Sequence, residues 1–211
     1  MSDIAVALER FSVLTVCTGN ICRSPLAEYL LREGLNRWQI VDVSSAGTGA
    51  LVGHAMTDQT IAIAQKYGAT GTDRHRARLL ETDYLRDASL VIALTREHRR
   101  EIVGMLPRGS RHTFTLRELA RLLAAVQVAD LAAVAALPLE DTVGRLEELV
   151  HVAASMRGYV APPDDELDDD VVDPYRRGDE IYELSAAQLV PAVRTILERF
   201  ELAAIITPGQ V

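Results

Sequence analysis

Residues 11–16 form a short apolar run rich in β-branched side chains that stops at Thr18-Gly19-Asn20. Ser24-Pro25 follows at once, ahead of Leu26, Leu30, Leu31 and Leu35 at helical spacing. An uninterrupted apolar run of that length predicts a strand buried on both faces. Serine at a cap and proline in the first turn predict a helix start. Strand, tight loop and helix in such close succession open a βαβ unit and commit the rest of the chain to a parallel α/β sheet.

The remaining pattern agrees. Residues 40–43 and 90–94 read as further strands, and 111–116 as a last short one; helices are predicted at 58–67, stopped by Gly68, and at 96–105. From about 117 to 165 the chain reads as a helical insertion of two or three helices with a break at Leu137-Pro138-Leu139. Residues 122–139 have nearly membrane-spanning length, but Gln127, Asp130 and Pro138 interrupt them, so a packed or interface helix is expected, with a homodimer through the insertion as one use for it. A final helix is predicted over 179–200, kinked or divided by Pro191. With 211 residues, 48% hydrophobic, the chain reads as one domain, 1–211, carrying this insertion.

The loop between the first strand and helix has the composition of an anion cradle. The backbone N–H groups of Thr18, Gly19, Asn20, Ile21, Cys22 and Arg23 can turn inward, with the end of the following helix adding positive potential. Gly19 is expected to take a conformation other residues resist, and Asn20 a left-handed one with its side chain bracing the loop. Arg23 offers a planar fork for two phosphate oxygens. The same field, with the hydroxyl of Ser24, favours the thiolate of Cys17. That thiolate is a nucleophile for phosphorus, giving a phosphocysteine and two-step hydrolysis that calls for no metal or cofactor. The leaving oxygen needs a proton, and Asp173 is the candidate acid.

With these residues in view the chain resembles the low-molecular-weight protein tyrosine phosphatases over about residues 11–116 and 171–200. The resemblance rests on the loop from Cys17 to Ser24 with Pro25, on Ser45-Ala46-Gly47-Thr48, on His75-Arg76-Ala77-Arg78 and on Asp173-Pro174-Tyr175. It implies a three-layer α/β sandwich with a central four-stranded parallel sheet and the phosphate loop between strand 1 and helix 1. It implies Asp173 as general acid and then base, and Asn20, Ser24, Ser45 and His75 as a network holding the loop. Taken alone, Ser45 reads as a turn residue and His75 as a surface histidine. Cys22 reads as packing, and the resemblance suggests that oxidation joins it to Cys17. The substrate rim departs from the family: Leu51 stands where an aromatic wall is usual and Arg176 replaces a second tyrosine, leaving Tyr175.

A net charge of −8 argues against general binding of nucleic acid or anionic membranes. The expected ligands are a phosphorylated protein or small phosphomonoester, and phosphate or sulfate. The first ten residues, with Asp3, Glu9 and Arg10, contain no apolar leader core, and only two cysteines occur, so a reducing cytoplasmic location is expected. The acidic run 164–170 reads as a solvated loop that also helps keep Asp173 in its acid form. A thiol-dependent arsenate reductase and a non-catalytic phosphate-binding regulator are the alternative readings.

Overall fold

The computed structural model describes residues 9–211; Asp3, counted above against a leader, lies outside the described residues. Four strands, β1 (Phe11–Cys17), β2 (Val41–Gly47), β3 (Leu90–Ala93) and β4 (Thr113–Thr115), form one sheet in the order β2-β1-β3-β4. Every pairing is parallel, with Cys17 opposite Gly47 and Val16 opposite Ala93.

Side chains alternate across this sheet as the strand period requires. Phe11, Val13, Leu90 and Ile92 enter the larger core, under α1 (Arg23–Leu35), α5 (Leu116–Ala125), α7 (Thr142–Met156) and α8 (Asp179–Ile205). Leu14, Val16, Val91 and Ala93 enter a smaller core closed by Leu85 of α3 (Thr82–Asp87) and Ile102 of α4 (Arg96–Met105). Phe11 meets Phe200 edge to face at 5.7 Å, fixing α8 across β1. Helix α2 (Asp58–Lys66) adds Ile63 and Ala64 to the larger core, and α6 (Ala132–Ala136) adds Val134 and Ala135. The architecture is therefore the expected three-layer α/β sandwich.

Three readings change. Residues 122–139 are not one helix: α5 and the following helical segment meet at 104°, and among the described residues no single helix is long and apolar enough to cross a membrane. Pro191 lies within the unbroken α8, so the predicted division is absent. Packing supplies the reason, since Leu189, Ala192, Val193 and Ile196 on both sides of it are buried in the core. Ser24 does not cap α1; Cys22 holds the N-cap position with no side-chain hydrogen bond, and Ser24 is used elsewhere.

Candidate active site

The chain leaves β1 for β2 on one side and later returns to β3 on the other, so the carboxyl end of β1 lies at the point where strand order reverses. Crevices in open α/β sheets form there, and Cys17 is the last residue of that strand. The loop after it is shaped from outside. The carbonyls of Cys17, Thr18, Gly19 and Ile21 accept hydrogen bonds from the amides of Thr48, Gly49, Leu51 and Thr57, at 2.9–3.1 Å. His75 Nε2 donates to the carbonyl of Asn20 at 2.7 Å. With every carbonyl drawn outward, the amides turn inward. None from Thr18 to Cys22 donates to a protein acceptor among the described residues.

Asn20 takes the left-handed conformation expected of it, with φ 55°. Its side-chain amide donates to Ser24 Oγ at 3.0 Å and Ser45 Oγ at 2.8 Å, and its oxygen accepts the Arg78 amide at 2.9 Å. Ser24 Oγ, which accepts from Asn20, lies 3.0 Å from Cys17 Sγ and 3.4 Å from the Ala46 carbonyl oxygen, so its single proton can be directed to the sulfur or to that carbonyl. Gly19 differs from expectation. It is not among the positive-φ residues, and a Cβ there would meet nothing nearer than 3.5 Å. The glycine this loop requires is Gly47, where a Cβ would lie 2.3 Å from the Thr18 carbonyl oxygen.

Arg23 is 5% exposed, and its NH1 donates to the Val171 carbonyl at 3.1 Å while its NH2 pairs with Asp173 Oδ2 at 2.9 Å. Its buried Nε has no protein acceptor. Asp173 Oδ1 accepts the Tyr175 amide at 3.2 Å, a turn that presents Asp173 at the cavity. That cavity, about 170 Å³, is lined by Cys17, Arg23, Asp173, Ile21, Leu51 and Tyr175, among others. Arg176 does not line it; it has φ 60° and lies over the Tyr175 ring at 5.1 Å. Cys22 lies against Thr57 and Tyr182, and burial pushes its thiol up.

Sequence reasoning missed three contributors. Glu28, 6% exposed, accepts from Ser45 and Arg32 and lies 3.9 Å from His75 Nδ1. Its signal was a carboxylate one helical turn beyond Ser24 on an apolar face. Arg78 donates to the Ser45 carbonyl at 2.8 Å from over the Tyr84 ring. His98 links Thr18 Oγ1, 2.8 Å from Nε2, to Thr95 Oγ1, 2.9 Å from Nδ1. Burial, then the positive field of Arg23, lowers its pKa to about 4.

The acidic run is solvated only in part: residues 164–168 are exposed, as expected, while its last two residues are drawn into the protein. Asp169 is buried and takes both contacts of Arg121 at 3.1 Å, Asp170 accepts the Arg96 amide at 2.7 Å, and Arg117 reaches the Asp170 carbonyl. Guanidinium groups face three of its carboxylates, Glu166, Asp168 and Asp169, while Asp164 and Asp165 have no ion pair among the described residues.

A family model described as low molecular weight phosphotyrosine protein phosphatase matches residues 12–152. The low molecular weight protein-tyrosine-phosphatase Etp of Escherichia coli (strain K12) is 38% identical over 96 residues, 46% of this chain and 62% of that protein. The match thus spans less than two thirds of that relative. A protein-arginine-phosphatase of Bacillus subtilis (strain 168) is 37% identical over 112 residues, 50% of this chain and 70% of that protein. The tyrosine phosphatase Wzb of Escherichia coli K30, solved in complex with sulphate, superposes with a TM-score of 0.60 at 24% identity, covering 89% of this chain and 96% of its own.

Proposed function

Because this chain belongs to the low molecular weight phosphotyrosine protein phosphatase family, we propose that it hydrolyses phosphomonoesters of the phosphotyrosine type through Cys17. The sulfur attacks phosphorus as the bond to the leaving oxygen breaks, and Asp173 gives that oxygen its proton. Arg23 and the inward amides hold the three remaining oxygens. Water then attacks the phosphocysteine, Asp173 takes a proton from it, and phosphate leaves with the thiolate restored.

The observation that carries this reading is the meeting of Cys17, Arg23 and Asp173 around one cavity whose loop amides have no protein acceptor. The buried Nε of Arg23, a donor without an acceptor, adds to it. Asn20, Ser24, Ser45 and His75 act in this proposal by holding the loop and the Cys17 thiol in place, and Leu51 and Tyr175 by walling the substrate. The test is hydrolysis of p-nitrophenyl phosphate by wild type, Cys17→Ser and Asp173→Asn, beside arsenate reduction with thiol donors. Turnover that survives Cys17→Ser, or reduction without hydrolysis, would sink the proposal.

The similarity to a protein-arginine-phosphatase supports a second reading of the substrate, in which the leaving atom is a guanidinium nitrogen. Competing phosphotyrosyl and phosphoarginyl peptides separates the two. We also read the described residues of the 1–211 chain as one domain elaborated at about 117–165, since Leu119, Leu122, Leu146 and Leu149 of the insertion share a core with α8. A homodimer through the insertion would draw on its exposed apolar residues Val128, Leu139 and Tyr159, and sedimentation equilibrium tests it.

A further inference from the structure

A second cavity, about 470 Å³, lies between α4, α5, the end of α7 and the acidic turn, and shares no lining residue with the cavity of Cys17. Arg96, Arg99, Arg100, Arg121 and Arg157 line it, against two carboxylates, Glu118 and Asp169. Such an excess of cations, in a chain of net charge −8, is costly unless something negative answers it.

The groups present do not answer it. Glu118 is shared, at 2.8 Å from Arg157 and 3.8 Å from Arg99, and both guanidiniums also donate to the Thr113 carbonyl. Asp169 is taken up by Arg121, whose Nε is buried without an acceptor. Arg96 has only Glu166, 3.5 Å away and largely exposed, and Arg100 has no ion pair among the described residues. Mutual repulsion is felt within the cluster: burial, then Arg157, lowers the pKa of Arg99.

We infer that this cavity binds a small polyphosphate, a molecule carrying two or more phosphoryl groups. Guanidinium forks match phosphoryl oxygens two at a time. The forks are already positioned, Arg157 over the Phe114 ring at 4.1 Å and Arg99 on the Thr113 carbonyl, so little ordering is left to oppose binding. The volume falls within the usual range for small-molecule sites. Val103, Leu122, Val160 and Pro162 supply an apolar wall for an organic portion. A long polyanion such as a nucleic acid would also meet the exposed carboxylates of Asp164 and Asp165, which have no ion pair among the described residues and lie a few residues before Asp169 of the cavity wall, so a compact ligand fits the charge pattern better.

The experiment is isothermal titration of the full chain with inorganic triphosphate and with ATP, orthovanadate being present to occupy the Cys17 loop. At least one of the two probes is expected to bind, and Arg100→Glu to weaken that binding at least tenfold. Arg100 is exposed and outside the Cys17 cavity, so the variant's melting temperature and p-nitrophenyl phosphate turnover should match wild type. Failure of both probes to bind, or binding indifferent to Arg100→Glu, would overturn the inference. Neither outcome depends on turnover, so the inference stands or falls apart from the hydrolase reading.

Discussion

A methyl group at Gly47 would press on a backbone carbonyl 2.3 Å away, and a carbonyl cannot swing aside as a side chain can. Gly47→Ala should therefore cost roughly 1–3 kcal/mol of stability. The displaced residue, Thr18, directly follows Cys17, so kcat/KM for p-nitrophenyl phosphate should fall at least tenfold even where the protein remains folded. Gly19→Ala, whose Cβ has 3.5 Å of clearance, should keep a near wild-type melting temperature. Equal melting temperatures for the two variants would refute the assignment. Asn20 was legible from sequence because the left-handed preference of Asn is local. Gly47 was legible only as part of a motif, because its constraint arises when β2 pairs with β1. For Ser24 the expected contact with Cys17 and place in the loop network hold, and only the reading as a helix cap fails, for a related reason. A serine ahead of a helix is ordinarily a cap, and only the fold brings Asn20 and Cys17 to compete for its hydroxyl. His98 gave no such signal, since its partner Thr18 lies in another element.

At the level of elements, the turn ahead of Asp173 is held at Asp169 and Asp170 by the Arg96 amide of α4 and the Arg117 and Arg121 guanidiniums of α5. A block of like charge predicts a solvated loop when only neighbours in sequence are counted. The groups that draw Asp169 and Asp170 in come from elsewhere in the chain, which is why that end of the run departs from the reading while the Asp-Pro-Tyr segment beside it was found. Asp169→Asn keeps the shape of that side chain and removes the charge Arg121 holds. The turn leading to Asp173 should then be less firmly placed. A p-nitrophenolate leaving group needs little protonation and the more basic phenolate needs more. The variant should therefore lose several-fold more kcat on phenyl phosphate than on p-nitrophenyl phosphate, and an equal loss on both would place the effect elsewhere.

Across the whole molecule, the insertion is tied to the last helix by a fully buried arginine. Arg145 of α7 donates to the carbonyls of Leu137, Ala203 and Ile206, satisfying the end of α8. Arg145→Met would strand those carbonyls at a cost of about 3 kcal/mol, a drop in Tm of roughly 6–12 °C for a chain of this size. An unchanged Tm would contradict this. The histidines set a second global property. In the unfolded chain His98 protonates near its ordinary value of 6.5, whereas in the fold it resists protonation down to about 4. The unfolded state thus binds the extra proton first, and stability is lost as pH falls through that window. The loss from His98 is about 3 kcal/mol, and the depressed pKa values of His75 and His112 act in the same direction. The groups facing His98 are Thr18, Thr95, Arg23 and Asp173; of these Arg23 opposes its protonation and Asp173 favours it. His98→Gln keeps a hydrogen-bonding side chain and removes the titration. Denaturant unfolding at pH 7 and pH 4.5 should show wild type losing more stability between the two than His98→Gln does, and an equal loss would mean that His98 is already protonated in the folded protein at pH 4.5.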